Sequence, residues 1–168
     1  MRVELGAGLP GWVLRVAVGV VGVAVAAVLA GSGVDWPAIA LYGLLVVVAA
    51  AIPASAAVAL VIGYPAAAVV VADGGTSWPS VLALMVLLHL MHVLSAYSAV
   101  LPVGSRFHLN ALKAPAKRFA AVQLCVFALA GLVLLLPDGR TDEPVEVIGL
   151  VGAVGLVLGV VLLMRRKG

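Results

Sequence analysis

Between Pro37 and Ala72 the chain runs for 36 residues without a single charged side chain. As one straight helix that stretch would be about 54 Å long at 1.5 Å per residue, against a bilayer hydrocarbon core of about 30 Å. It is therefore expected to break. Pro53 and Ser55 near its middle offer a turn and divide it into apolar segments at about 37–52 and 57–72, with Pro65 kinking the second. A re-entrant pair and one continuous kinked helix are the alternatives for the same residues.

Four further apolar segments lie at about 12–31, 79–101, 116–136 and 145–164. Composition explains why so many are sustained. Hydrophobic residues make up 65% of the chain, charged residues 10%, and the mean hydropathy is +1.28. A water-facing surface typically needs about a quarter of residues charged, so this chain is read as facing lipid. Lipid offers no partners for backbone N–H and C=O groups, which leaves helices or a closed barrel. The apolar runs are continuous rather than alternating, so the expected fold is all-α, a single polytopic transmembrane helical bundle of about six spans.

The segment starts repeat a device. Asp35-Trp36-Pro37 and Ser77-Trp78-Pro79 each follow a Gly-containing turn, and Asp142-Glu143-Pro144 repeats it without the Trp. Asp and Ser suit an N-cap, Pro suits the first helical turn, and Trp suits the membrane interface. Three such starts on one side suggest three stacked helical hairpins. Small residues at Gly22, Ala26 and Ala30, and at Gly149, Gly152, Gly155 and Gly159, would let helices approach closely, within the bundle or at a seam with another copy or a partner.

Charge sets the orientation. With six spans both termini share a side holding Arg2, Arg15, Arg106, Lys113, Lys117, Arg118, Arg165, Arg166 and Lys167, with only Arg140 opposite. Five spans would move Arg2 and Arg15 across. The positive-inside rule therefore favours six spans, with both termini cytoplasmic, in the cell (inner or plasma) membrane. Arg15, the apolar run 16–29 and Val28-Leu29-Ala30 also fit a cleaved signal peptide, but the long, non-basic first eleven residues favour a spanning helix.

The pI near 9.4 does not indicate nucleic-acid binding, because the excess charge is scattered over loops and a tail. The single Cys125 has no partner within the chain and is expected to be an apolar filler.

Two places could carry chemistry. His89 and His92, in LLHLMHVLSAYS, fall near the expected bilayer midplane, with Ser95 and Ser98 nearly continuing their face. Ionisable groups at that depth are functional hypotheses by default. The plainer reading keeps both imidazoles neutral and hydrogen-bonded across helices, with Gln123 as the named partner. A zinc site would need three or four ligands, and the one remaining histidine, His108, lies in the loop at 102–115. Two histidines on one face cannot sandwich a haem. No Walker, HExxH or GxSxG pattern occurs. No catalytic residue, metal or cofactor is expected, and enzyme is the weakest class. The second place is the basic cytoplasmic loop and its flank, PVGSRFHLNALKAPAKR, where Arg106, Lys113, Lys117 and Arg118 would touch anionic lipid headgroups or dock a partner.

The HLMHVLSAYSAVLPVGSRF stretch followed by KAPAKRFAAVQ resembles uncharacterised small multi-pass membrane proteins of high-GC actinobacteria, some encoded beside MoxR-type ATPase systems. The resemblance covers about residues 85–125. It implies no activity and favours an accessory subunit. The expectation is therefore a non-enzymatic membrane subunit or scaffold with a protein partner or a second copy of itself. A small transporter or channel past His89 and His92, and a haem- or quinone-associated redox subunit, are the alternatives.

Overall fold

A computed structural model describes residues 8–72 and 77–134, together with Val151. The chain divides into two units, Met1–Phe127 and Ala128–Gly168, and the packing below belongs to the first. Its elements are β1 (Leu9–Pro10), α1 (Trp12–Gly31), α2 (Trp36–Ala51), α3 (Ala57–Val71), α4 (Trp78–Val100), β2 (Arg106–Phe107), a 3-10 turn (Leu109–Leu112) and α5 (Lys113–Leu134). The architecture is all-helical. The segment expected at 145–164, the Asp142-Glu143-Pro144 start and the glycines at 149, 152, 155 and 159 lie outside the described residues.

The long uncharged stretch does break. α2 ends at Ala51 and α3 begins at Ala57, with Pro53 and Ser55 in the intervening turn. The chain reverses there, because Tyr42 and Tyr64 stack at 6.1 Å and the Tyr64 hydroxyl donates to the Ala38 carbonyl at 2.9 Å. Pro65 sits inside α3, and the helix runs on through it. Lacking an N–H, Pro65 leaves the Val61 carbonyl without its usual intrahelical donor.

Helix starts follow the local sequence unevenly. Ser77 caps α4, accepting from the Ser80 N–H at 3.4 Å while the two hydroxyls pair at 2.9 Å. Asp35 occupies the equivalent position before α2, but its carboxylate makes no cap bond. Gly33 turns the chain between α1 and α2 with φ of 80°, a left-handed conformation open to glycine at little cost.

Helices α1 to α4 close a ring in up-down-up-down order. α1 packs most extensively on α4 and α2, α3 bridges α2 and α4, and α1 also touches α3. The core runs along this ring: Val18, Val21, Val25 and Leu29 of α1, Tyr42 and Val46 of α2, Val61 of α3, and Leu84 and Met91 of α4. Of the three small residues expected to form a seam on α1, Gly22 is buried against α2, Ala26 is partly buried against the core and Ala30 is exposed.

Two bonds fix which helix ends lie together. The Arg15 Nη1 donates to the Ala51 carbonyl at 2.7 Å, joining the start of α1 to the end of α2. The Gly11 N–H donates to the Ser105 carbonyl at 2.8 Å, and β1 pairs antiparallel with β2, joining the start of α1 to the loop after α4. One end of the bundle thus gathers the starts of α1, α3 and α5 and the ends of α2 and α4. Arg15, Arg106, Lys113, Lys117 and Arg118, every described Lys and Arg, lie at that end. Asp35, the one described carboxylate, lies at the other.

The outward faces are as apolar as the core. Val16, Val20 and Val23 of α1, Leu41, Leu44 and Val47 of α2, and Val122 and Leu124 of α5 are exposed, Val23 and Leu124 each at 71%. A helix apolar all round needs a surrounding that is not water. Among the described residues, α1 and α4 are long and apolar enough to cross a membrane. α2 and α3, at 16 and 15 residues, reach only about 24 and 22 Å at 1.5 Å per residue.

Gly22 sets the spacing of α1 and α2. A methyl group built there would fall on the Val46 side chain, meeting one Val46 methyl at 2.8 Å and its Cβ at 3.2 Å. Val46 is β-branched and cannot easily rotate away. Gly22→Ala is expected to lower stability by about 1–3 kcal/mol through overpacking, and Val46→Ala in that background should restore most of it. Thermal unfolding in detergent reads both, and unchanged melting of the single variant would mean that this seam has room to spare.

Candidate functional site

The middle residue of α4 is His89, and Gln123 lies midway along α5. Their meeting follows from the chain's course, since the turn centred on Arg106 sends α5 back along α4 and brings the two midpoints level. The Gln123 Nε2 lies 3.1 Å from the His89 Nδ1. With the amide nitrogen as donor, Nδ1 is the acceptor. Phe119, one turn before Gln123, lies against the same imidazole with ring centroids 4.7 Å apart.

The face of α5 that approaches α4 is legible in its burial. Leu112, Pro115, Phe119, Gln123 and Val126 are buried or half-buried, while the residues between them are exposed. That spacing is one helical face. Gln123 is therefore placed inward by the periodicity of α5, and it finds a histidine where an aliphatic neighbour would have left its amide unpaired. Its Oε1 is nevertheless buried without a hydrogen-bond partner, an arrangement that costs stability.

The remaining members of the expected cluster go elsewhere. His92 is exposed, which corrects the expectation that both histidines point into the bundle. The reason is angular: three residues advance a helix by about 300°, so His92 sits about 60° from His89. That rotation carries it off the α5-facing side. Ser95 is buried on a different stripe of α4, with Leu84, Met91 and Ser98. Its hydroxyl has no hydrogen-bond partner, while the Ser98 hydroxyl donates back to the Leu94 carbonyl at 2.6 Å. So His89 and Gln123 meet, and His92 and Ser95 do not join them.

Cys125 is exposed on α5 rather than filling the core, another consequence of the same periodicity, two residues beyond Gln123. Among the described residues, no group of three or more His, Cys, Asp or Glu is placed to hold a metal ion.

The basic loop is more ordered than a topology signal requires. Phe107 is buried, β2 pairs with β1, and the Ser105 hydroxyl donates to the Pro102 carbonyl at 2.6 Å. Gly11 belongs to the same fastening, since a Cβ there would strike the Pro102 carbonyl oxygen. Arg106, Lys113, Lys117 and Arg118 are all exposed around this base. The pairing of Leu9–Pro10 with Arg106–Phe107 had no sequence signal beyond a short polar-apolar alternation in SRFHL, too brief to register as a strand.

Comparison with protein-family models, curated proteins and solved structures gave no match.

The His89–Gln123 bond makes a quantitative expectation. Replacing either residue alone with an apolar one leaves its partner unpaired, at a cost of about 1–3 kcal/mol, whereas replacing both removes donor and acceptor together. His89→Leu and Gln123→Met should therefore couple in a double-mutant cycle, the pair costing less than the sum of the singles. His92→Leu, on an exposed face, should stay within about 0.5 kcal/mol of the parent. Additive single effects at His89 and Gln123 would rule the bond out as a stabilising contact.

Proposed function

We propose that the protein is a multi-pass integral membrane protein of the cell membrane with both termini cytoplasmic, acting without enzymatic activity as an accessory subunit or scaffold of a membrane complex. The observation that carries this reading is, among the described residues, the combination of apolar outward faces with a single basic end. Outward-facing Val and Leu suit acyl chains, and a concentration of Lys and Arg at one end suits the cytoplasmic side under the positive-inside rule. Trp12 at the basic end and Trp36 and Trp78 at the other are exposed at the first residue of their helices, where an interfacial aromatic is favoured.

Six crossings fit this arrangement better than a re-entrant pair. α2 starts just beyond the end of α1 and returns to the level of Arg15, as the Arg15–Ala51 bond requires. It therefore traverses nearly the length that α1 does. Short spans are accommodated by local thinning of the bilayer and by flanking residues that reach the interface. The sixth crossing, at about 145–164, rests on the sequence alone.

The subunit reading draws on the basic end. Its loop is fastened to the N-terminal strand, so Arg106, Lys113, Lys117 and Arg118 project from an ordered base. An ordered, positively charged platform at the cytoplasmic interface suits a protein partner as well as anionic headgroups. The His89–Gln123 pair is accounted for as a hydrogen bond between helices.

Reporter fusions test the topology. Fusions at Asp35 and Arg140 should report the external side and one at Ala111 the cytoplasm. An external signal at Ala111 would reverse the proposal. Purification in mild detergent should bring a stoichiometric protein partner with the chain, and replacing Arg106, Lys113, Lys117 and Arg118 with Gln should release it. A chain that purifies alone at native expression level would speak against the subunit role.

A further inference from the structure

The outward face of α4 is a narrow stripe. Trp78, Met85, His92 and Ala99 are exposed at seven-residue intervals, with Ala96 between the last two. At about 100° per residue these five positions fall within about 60° of rotation. Leu84, Met91, Ser95 and Ser98 turn to one side of the stripe and are buried, and His89 turns to the other, toward α5. His92 is the one ionisable residue on the stripe. It lies three residues past the middle of α4 and about 12 Å short of Val100 at 1.5 Å per residue.

In water an exposed imidazole finds its partners in the solvent. On the membrane reading it faces acyl chains, which neither donate nor accept, and a polar group left there unpaired costs stability. Histidine lacks the long stem by which Lys or Arg reaches the interface. Nor does the chain supply a side-chain partner. No described group hydrogen-bonds His92, and Gln123 is engaged by His89. Residues 147–164, in the remaining apolar segment, include no polar side chain. The carbonyls of a spanning helix are already bonded within it. The partner of His92 therefore comes from another chain.

We infer that a second copy of the protein packs against this stripe, α4 on α4, about a two-fold axis along the membrane normal, with the two His92 imidazoles hydrogen-bonded to each other. Copies inserted in the same sense hold each residue at the same depth, and a two-fold axis brings a residue beside it against its own equivalent. Imidazole suits such a self-contact, because one ring nitrogen can donate while the other accepts. Ala96 and Ala99 let the two helices approach closely on the basic-end side of the histidine. The seven-residue spacing is the repeat of helices that stay in contact along their length. The inference rests on the membrane reading above and goes beyond it by naming the chain itself as one partner.

The test uses the full chain, in detergent micelles and in native membranes. In micelles, donor- and acceptor-labelled copies should show concentration-dependent energy transfer. His92→Leu should raise the dissociation constant by roughly 3- to 30-fold, the range of one interhelical hydrogen bond in a membrane, while unfolding of the monomer stays as in the parent. His92→Gln, whose amide also donates and accepts, should keep most of the association. In native membranes, with Cys125→Ala as background, Ala99→Cys should form an intermolecular disulfide on mild oxidation. Val23→Cys, on the exposed face of α1, should not. Association weakened by Leu, kept by Gln and trapped through Ala99→Cys supports the interface. A monomeric parent, association indifferent to His92→Leu, or cross-linking through Val23→Cys alone overturns it. So does cross-linking of Ala99→Cys to a different protein, which would give the stripe to a foreign helix. Extraction of the chain from native membranes by alkaline carbonate would remove the membrane reading and the inference with it, whereas a carbonate-resistant monomer removes the inference alone.

Discussion

A chain with so few polar side chains must satisfy its backbone N–H and C=O groups within its own helices. That constraint governs the rest of the structure, because a buried peptide group without a partner costs more than any single packing contact returns. The chain therefore leaves helical geometry only where other groups take over the bonding. At the α2–α3 turn the Ile52 N–H still bonds back to Val48, the Ser55 N–H bonds to Ile52, and Arg15 of α1 reaches across to the Ala51 carbonyl. At the opposite end the Val34 N–H bonds to Leu29 and the Tyr64 hydroxyl takes the Ala38 carbonyl. Among the described residues, irregular backbone is confined to the ends, where polar groups are available.

Packing then has to proceed without amphipathic guidance. The helices of the ring are apolar on every side, so hydrophobicity does not say which face turns inward. Shape decides. Gly22 admits Val46, the two tyrosines stack across the α2–α3 hairpin, and Met91 fills the ring from α4. In such a bundle the small and the bulky residues carry the specificity that charge patterning supplies in a soluble protein. The few polar atoms buried without partners, among them the Tyr42 hydroxyl and the Ser95 hydroxyl, sit where shape put them.

The basic end combines two roles. On the proposed membrane reading, positive charge at one end orients the chain during insertion, while the β1–β2 pairing and the 3-10 turn hold the same charges in a fixed frame. Orientation alone would be served by a loose loop. A buried Phe107, and a Gly11 with no room for a side chain, indicate a shaped surface.

By itself the sequence determined the helices and their breaks. The length of 37–72 against the reach of a helix required a turn, and Pro53 with Ser55 placed it. Local chemistry likewise put Trp36 and Trp78 at helix starts and all the described basic residues near one end. What only the tertiary structure decided is which faces meet. His89 and His92 look equivalent in the sequence, yet about 60° of helical rotation gives one a Gln partner on α5 and leaves the other exposed. Ser95 looks like part of the same face and packs on another, and Cys125 looks like core and is exposed. The physical reason is common to all four residues. Backbone hydrogen bonding and length are local and can be read along the chain. The rotation of an apolar helix about its axis is set by contacts with distant segments, which no local pattern records.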